Sequence, residues 1–360
     1  MTRFTFHSRT RRARETGGCG MRMSRTTCLA MLVVLSIPVA AGAEPLGEVF
    51  RKVTPSVVVI RATGREVSAT GQKRFAETGS GVLISTDGKV MTAAHVVHTM
   101  DEITVEFLGG ESVSARVIAS EPAADLSLLQ LERVPATARV AKMANSDSIQ
   151  VGDAVVIVGA PYGLSYSLSN GVISARWAPN TVYPTMPLAE FFQTTATINT
   201  GNSGGPMFNM AGDVIGIVSH NISKSGGSEG LGFVVTLNTA KQLLLEKKSF
   251  WSGLEGQLLP DDVADLLNLP ANATGYIVKN VARGSPGEEM GLRAGTKVVV
   301  IDGREFVLGG DIILEALGFG MKSANLPKIR EALARLQPGD PFKVKVLRAG
   351  QTLELTGKVP

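Results

Sequence analysis

Three side chains in this sequence have the chemistry needed for acyl transfer. Ser203 lies in the glycine-rich segment "TGNSGGPMF", His95 lies in "MTAAHVV", and Asp125 lies at the start of the apolar run "ADLSLLQL". A serine hydroxyl becomes a strong nucleophile only when a base removes its proton, and a carboxylate orients that base and stabilises its charged form. We therefore predict that Ser203 is the nucleophile, His95 the general base and Asp125 the orienting acid.

The residues around Ser203 predict a site for a developing negative charge. Glycine permits a sharp backbone turn, so the N–H groups of Gly201 and Ser203 can converge on an oxyanion. We assign this predicted oxyanion site to Gly201 and Asn202, the two residues before the nucleophile. Taken alone, a serine in a glycine-rich turn is more often structural than catalytic, and only His95 and Asp125 favour catalysis.

The elements that must position these residues are short strands. From Val53 onward, runs such as "SVVVIRA" (56–62), "AVVIVGA" (154–160) and "DVIGIVSH" (213–220) alternate with turns, and glycine occurs 40 times. Period-two alternation with frequent turns is typical of an all-β sandwich or barrel. The order His, Asp, Ser on such a chain is that of chymotrypsin, not of the α/β-hydrolases or subtilisin. We place His95 at the end of a strand and predict a helix over 237–250.

The pattern changes after Phe250. A short helix is predicted over 259–270, strands over 275–281 and 297–303, a longer helix over 325–340 and a hairpin over 341–359. The length also favours two folded units. The predicted organisation is a signal peptide at 1–43, a trypsin-like protease domain at 44–250 and a second domain at 254–360.

The N-terminal segment has the three parts of a secretory signal. Seven arginines and one acid lie before the apolar run "CLAMLVVLSIPVAA" (28–41). The run ends at Ala41, where the small-residue cleavage site Ala41-Gly42-Ala43 begins. We predict cleavage near Ala43-Glu44 and export to the periplasm. The alternative is a retained membrane anchor, and Met21 or Met23 could be the true start.

Charge and cysteine content restrict the remaining possibilities. The leader accounts for the net positive charge, because the rest of the chain has 29 basic and 31 acidic residues. A nucleic-acid partner is therefore not expected, and a membrane is expected only if the leader is retained. Cys19 and Cys28 both lie in the leader, so disulfides and thiol catalysis are excluded from the mature chain. Metal binding by His95 with His98 is not expected, nor is any cofactor.

The motifs together resemble the HtrA (Deg) family of envelope serine proteases. "TAAHVV", "ADLSLLQL" and "TINTGNSGGPMF" are similar to the three catalytic segments of that family, and the following "GDVIGIVSHNI" resembles the family too. Residues 254–360 are similar to its PDZ domain. The resemblance implies a mainly β fold, with a chymotrypsin-like double β-barrel followed by a small α+β PDZ domain. It also implies unfolded polypeptide substrates, C-terminal peptides bound at the PDZ domain, a homotrimer and no cofactor.

The resemblance also places the binding residues. Ile198, Ser219 and His220 would form a small apolar specificity pocket that prefers Val, Ala or Leu, and the alternative for His220 is a position outside the pocket. Thr195 and Thr197 depart from the family pattern. In the PDZ-like unit, the carboxylate-binding loop and edge strand correspond to four consecutive residues: Gly275, Tyr276, Ile277 and Val278. A plain hairpin packed on the protease domain is the alternative for that segment. The short loop from Gly64 to Thr78 would lack the family's long regulatory arm.

A second function from another class fits the same motifs. A peptide-binding scaffold or chaperone with a silent protease site would keep the fold and the three catalytic residue types. The three intact catalytic residue types favour the protease. Loop geometry decides between the two functions and cannot be read from the sequence, so the scaffold stays as an alternative.

Overall fold

The computed structural model describes residues 45–68, 71–164, 166–225, 227–247, 249–267, 269–270 and 273–359. The predicted signal peptide lies outside these residues. Within them, none of the helices has the length and apolar character required to cross a membrane.

Six antiparallel strands close into the first barrel, in the order β1-β2-β3-β6-β5-β4. Their bounds, from β1 to β6, are Val57–Ser68, Gly71–Leu83, Lys89–Thr92, Glu102–Glu106, Ser112–Glu121 and Leu126–Leu131. The pairing of β1 with β2 continues from Val57–Val82 to Ser68–Gly71. The segment predicted as a short loop between Gly64 and Thr78 is therefore the far end of a long hairpin.

Another six strands close into the second barrel, in the order β10-β11-β12-β9-β8-β7. Their bounds, from β7 to β12, are Ala154–Gly159, Ser167–Trp177, Phe191–Thr194, Pro206–Asn209, Val214–Asn221 and Gly232–Thr236. The predicted mainly β fold with two barrels is thus confirmed.

Period-two alternation explains how the barrels pack. Val155 and Ile157 of β7 face the interior of the second barrel, whereas Val156 and Val158 join a cluster that also contains Val57 of the first barrel. Successive side chains of a strand point to opposite faces, so one strand can fill its own barrel and also contact the other barrel. The catalytic candidates lie at this junction.

The C-terminal unit contains a sheet in the order β13-β14-β17-β19-β20, with β18 paired to β17, and a separate two-stranded sheet of β15 and β16. The bounds, from β13 to β20, are Leu254–Leu258, Tyr276–Val281, Lys297–Ile301, Arg304–Leu308, Ile312–Ala316, Phe319–Gly320, Pro341–Arg348 and Gln351–Lys358. The hairpin predicted over 341–359 is β19–β20, and its turn has positive φ at Ala349 and Gly350.

The helices are short. From α1 to α6 they are Leu46–Val53, Ala94–Val97, Leu237–Ala240, Asp261–Leu266, Pro286–Glu289 and Leu326–Arg335. A π-helical turn, Lys241–Glu246, extends α3, so the helical region predicted over 237–250 is interrupted and ends early. Short 3₁₀ turns occur at Thr54–Ser56, Pro122–Ala124, Ser146–Ser148, Pro161–Gly163 and Ser323–Asn325.

Candidate active site

His95 and Asp125 both belong to the first barrel. His95 lies in α2, the single helical turn after β3, and not at the end of a strand as predicted. Asp125 follows the Pro122–Ala124 turn with left-handed backbone angles, φ 54° and ψ 43°. Few residues other than glycine adopt this conformation, although aspartate tolerates it better than most. The conformation places the carboxylate just before β6 begins.

The Asp125 carboxylate accepts hydrogen bonds from three donors. The His95 imidazole contacts it through Nδ1, at 2.9 Å from Oδ1 and 3.0 Å from Oδ2. The backbone N–H of His95 donates to Oδ1 at 3.1 Å, and the Ser219 hydroxyl donates to Oδ2. Because an ionised carboxylate only accepts, His95 carries its proton on Nδ1 and leaves Nε2 as the basic nitrogen.

The electrostatics of the pair suit general-base catalysis. Burial alone would lower the pKa of His95, but the hydrogen bond and negative charge of Asp125 outweigh it and raise that pKa above its ordinary value. Burial alone would raise the pKa of Asp125, but the contacts with His95 and Ser219 outweigh it and lower that pKa. Asp125 therefore stays ionised, and 48% of the His95 side chain remains exposed to solvent.

Ser203 lies in the second barrel, on the turn between β9 and β10. Gly201 has φ +101° and Gly204 has φ +79°, which other residues rarely adopt. A Cβ on Gly201 would lie 2.1 Å from the Ala160 carbonyl oxygen, and one on Gly204 would lie 2.1 Å from Thr92 Oγ1. The glycines predicted to shape the turn are therefore required by both the backbone angles and the space available.

Ser80 of β2 connects the two halves of the site and was not identified from the sequence. Its buried hydroxyl donates to the Gly201 carbonyl oxygen at 2.7 Å and accepts from the Ala160 N–H at 2.9 Å. Its backbone N–H donates to the Ser203 carbonyl oxygen at 2.8 Å. A residue of the first barrel thus holds the Ser203 turn of the second, and the only sequence signal is a serine between glycines in "GSGVL".

The backbone amides of the Ser203 turn differ in their hydrogen bonds. Among the described residues, the N–H groups of Gly201 and Ser203 have no partner, whereas that of Asn202 donates to the Asn199 carbonyl oxygen at 3.0 Å. Asn202 is buried and was predicted to share the oxyanion site with Gly201. Since its amide is already bonded, the geometry supports Gly201 with Ser203 and not Asn202 as the donors.

The Ser203 hydroxyl donates to the Ser219 carbonyl oxygen at 3.2 Å. Within the described part of the chain it has no hydrogen bond to His95. Catalytic hydrogen bonds in unliganded enzymes are often long or misaligned and shorten when substrate binds. The arrangement is therefore compatible with a resting site whose nucleophile must reorient.

The predicted specificity pocket is only partly supported. Ile198 is 2% exposed and packs in the interior of the second barrel, with its Cδ1 close to Gly232. Ser219 is buried and its hydroxyl contacts Asp125. The assignment of Ile198 and Ser219 to an open pocket is wrong, because both side chains are already packed or bonded. The predicted preference for Val, Ala or Leu therefore has no support from the positions of these two side chains.

His220 does border a cleft. A cavity of about 570 Å³ is lined by His220 together with His95 and Asp125, and by Thr185 and Met186. The third predicted pocket residue thus lies next to the candidate catalytic pair.

His98 has a structural position between the first barrel and the C-terminal unit. Its Nε2 lies 2.9 Å from the Leu254 carbonyl oxygen and its Nδ1 lies 2.7 Å from Ser120 Oγ. Because a carbonyl only accepts, Nε2 carries the proton and Nδ1 accepts from Ser120. Burial lowers the pKa of His98, so the imidazole is neutral and both of its nitrogens are used.

The prediction that residues 275–278 form the carboxylate-binding edge strand of the C-terminal unit is wrong. Tyr276, Ile277 and Val278 lie in β14, which pairs with β13 on one side. On the other side, Tyr276 and Ile277 pair with β17, and the Val278 N–H donates to the Asp311 carbonyl oxygen. A strand bonded on both sides cannot accept an added strand, and the carbonyl of Gly275 is also occupied, by the Leu259 N–H. The terminal strands of this sheet are β13 and β20, and β13 is the edge next to β14.

Comparisons with known proteins identify the family of this chain. A model of the trypsin-like peptidase domain matches residues 79–217, a stretch that contains His95, Asp125 and Ser203, so the class of fold is that of the trypsin-like peptidases. The chain is 30% identical to the HtrA-type protease AlgW with tripeptide, covering 87% of this chain and 96% of that one with a TM-score of 0.50. A variant of AlgW with decapeptide gives 28% identity and a TM-score of 0.53 over the same shares. The chain belongs to the HtrA family of serine proteases.

Curated relatives point to the same family. The "Probable periplasmic serine endoprotease DegP-like" of Pseudomonas fulva (strain 12-X) is 34% identical over 82% of this chain, and that of Hahella chejuensis (strain KCTC 2396) is 32% identical over 80%. The matched regions cover 61% and 58% of those two proteins, so the chain spans about three fifths of their length.

Proposed function

We propose that this protein is a serine endopeptidase in which Ser203 forms an acyl-enzyme. His95 takes the Ser203 proton and returns it to the leaving amine, while Asp125 keeps His95 in the Nδ1–H tautomer. The N–H groups of Gly201 and Ser203 stabilise the oxyanion of the tetrahedral intermediate. The single observation that carries the proposal is the ionised Asp125 bonded to His95 Nδ1, together with a Ser203 turn in which two amides have no partner among the described residues.

We further propose that the substrates are unfolded polypeptides and that the protein acts in the periplasm. Two relatives are named periplasmic serine endoproteases, and the leader predicted from the sequence supports export. A homotrimer is proposed on family resemblance alone. Sedimentation of a species three times the mass of one chain would support it, and a monomer at working concentrations would contradict it.

Labelling with a fluorophosphonate tests the proposed activity. The reagent requires an activated serine, so we expect one adduct per chain, and mass spectrometry of the digested protein should locate it on Ser203. Labelling should accompany degradation of unfolded casein. In the described residues the Ser203 hydroxyl donates to the Ser219 carbonyl oxygen and not to His95, which keeps the silent scaffold as the second candidate. Absence of both labelling and degradation, even with added C-terminal peptides, would support the scaffold instead.

The C-terminal unit is proposed to be a PDZ domain that binds peptides between β13 and α6. An apolar cavity of about 650 Å³ lies there, lined by Leu254, Tyr276, Ile329 and Leu333 among others. Because β13 is an edge strand, an extended peptide can pair with it while its apolar side chains fill the cavity. The similar AlgW structures, which contain a decapeptide or a tripeptide, support peptide binding.

A matched pair of peptides tests this groove. A fluorescent decapeptide with an apolar last residue and a free carboxylate should bind the full chain, and the same peptide with an amidated C-terminus should bind more weakly. Leu333→Glu places a charge in the cavity, and the lost apolar burial should weaken binding about tenfold or more. Equal affinity of both peptides for both proteins would contradict the groove.

A further inference from the structure

His220 lies in an aromatic cage beside the candidate catalytic pair. Its imidazole stacks on Phe233, with ring centroids 5.4 Å apart and planes 10° apart. The rings of Tyr183 and Phe191 contact it edge-on, at 4.2 and 5.7 Å. Three aromatic rings therefore fix the plane of the imidazole.

A chain of hydrogen bonds connects His220 to Asp125. The Ser219 hydroxyl donates its one proton to the Asp125 carboxylate, and Ser219 Oγ lies 2.9 Å from His220 Nδ1. Since that proton is committed to the carboxylate, Ser219 Oγ must accept from His220, and His220 must carry its proton on Nδ1. His220 Nε2 then has no proton and holds only a lone pair. This atom is buried and has no hydrogen-bond partner in the described residues.

An irregularity of β11 makes this chain possible. The register between β11 and β12 shifts between Val218 and His220, so Ser219 is an extra residue in a β-bulge. In a regular strand, neighbouring side chains point to opposite faces. The bulge re-aims Ser219, so its hydroxyl reaches both Asp125 and the next side chain along the strand.

We propose that His220 is a positioning residue: through the Ser219 hydroxyl it holds the Asp125 carboxylate and so sets the proton affinity of His95. The inference rests on the proposed peptidase function, but the hydrogen-bond chain itself can be measured without it. A donor at the end of a chain polarises each following bond, so His220 strengthens the bond from Ser219 to Asp125. Removing it should leave the carboxylate more basic and raise the pKa of His95.

The donor form of His220 is stable across the working pH range. Burial lowers the pKa of His220 to about 4, with opposing effects of the Asp125 charge and the His95 charge. Among the described residues, the titratable ring in contact with His220 is that of Tyr183, whose pKa burial raises to about 12. From pH 5 to 9, His220 and Tyr183 therefore stay neutral, and only His95 changes charge in this cluster.

Two substitutions separate positioning from packing. His220→Phe keeps an aromatic ring in the cage and removes the donor, whereas His220→Asn keeps a donor near the Nδ1 position and removes the ring. We expect His220→Phe to lower kcat about threefold to tenfold, the effect of one hydrogen bond, with little change in KM. His220→Asn should stay closer to wild type in kcat but unfold at a lower temperature. If His220 acted through packing alone, the variant with the lower unfolding temperature would also have the lower kcat.

Nuclear magnetic resonance of the full chain labelled with ¹⁵N-histidine gives a readout independent of hydrolysis. The chain has four histidines, so the signals can be assigned by substitution. We expect His220 as the neutral Nδ1–H tautomer between pH 5 and 9, and a higher pKa of His95 in His220→Phe than in wild type or His220→Asn. An Nε2–H tautomer, or a His95 titration unchanged in His220→Phe, would overturn the proposal. Loss of all peptidase activity with these signals as expected would refute only the proposed function.

Discussion

Ser203→Ala is expected to lower kcat for peptide hydrolysis about a millionfold, to the residual rate provided by the oxyanion donors and substrate binding. A methyl group cannot attack a carbonyl carbon, and the other groups of the site act only through the Ser203 oxygen. The same variant should lose all labelling by fluorophosphonate. Cleavage of a fluorogenic peptide over a wide range of enzyme concentrations measures the loss.

The structure indicates that this variant keeps its fold. The Ser203 turn is held by backbone bonds: Ser80 N–H to the Ser203 carbonyl at 2.8 Å, Gly204 N–H to the Val218 carbonyl at 2.7 Å, and Gly205 N–H to the Asn202 carbonyl at 2.9 Å. Only the 3.2 Å bond of the Ser203 hydroxyl is lost. Ser114→Ala, on an exposed position of β5, is the matched control and should keep full activity. Residual labelling or more than a thousandth of the wild-type rate in Ser203→Ala would place the nucleophile elsewhere.

The part of the site that local patterns encode could be predicted. Period-two apolar runs predicted the barrels, because a strand with one buried face alternates apolar and polar residues and a strand buried on both faces is apolar throughout. Asp125 at the entrance to an apolar run predicted a bonded carboxylate, since an unpaired charge there is costly. The structure brings Asp125 and His95 together as expected.

The part that depends on non-local pairing could not be predicted. Ser80 contacts Gly201, 121 positions away, and nothing near Ser80 in the sequence specifies that partner. The edge strand was assigned to residues of β14 by resemblance, but whether β14 is an edge depends on whether β13 and β17 both pair with it. The bulge at Ser219 likewise depends on its register with β12, so Ser219 was predicted to line the pocket instead of contacting Asp125.

Asp125→Asn is expected to lower kcat about ten-thousandfold at neutral pH, because the wrong tautomer of His95 becomes favoured. Three donors converge on the carboxylate, whereas an asparagine side chain offers one acceptor oxygen and an NH₂ group that must itself donate. If that NH₂ group faces His95, Nδ1 must accept, and the proton moves to Nε2, where the base is needed. The fold should persist, since asparagine also tolerates the left-handed conformation at this position.

The pH profile gives this variant a second, independent readout. In wild type, Asp125 raises the pKa of His95, so kcat/KM should rise with pH and reach half its plateau above the ordinary histidine value. Removing the negative charge removes that stabilisation of the imidazolium, so the half-rise should move to lower pH while the plateau falls. Asp265→Asn, on an exposed position of α4, changes the same functional group without touching the site and should leave both unchanged. An Asp125→Asn protein with a rate within tenfold of wild type and an unmoved half-rise would show that Asp125 does not orient His95.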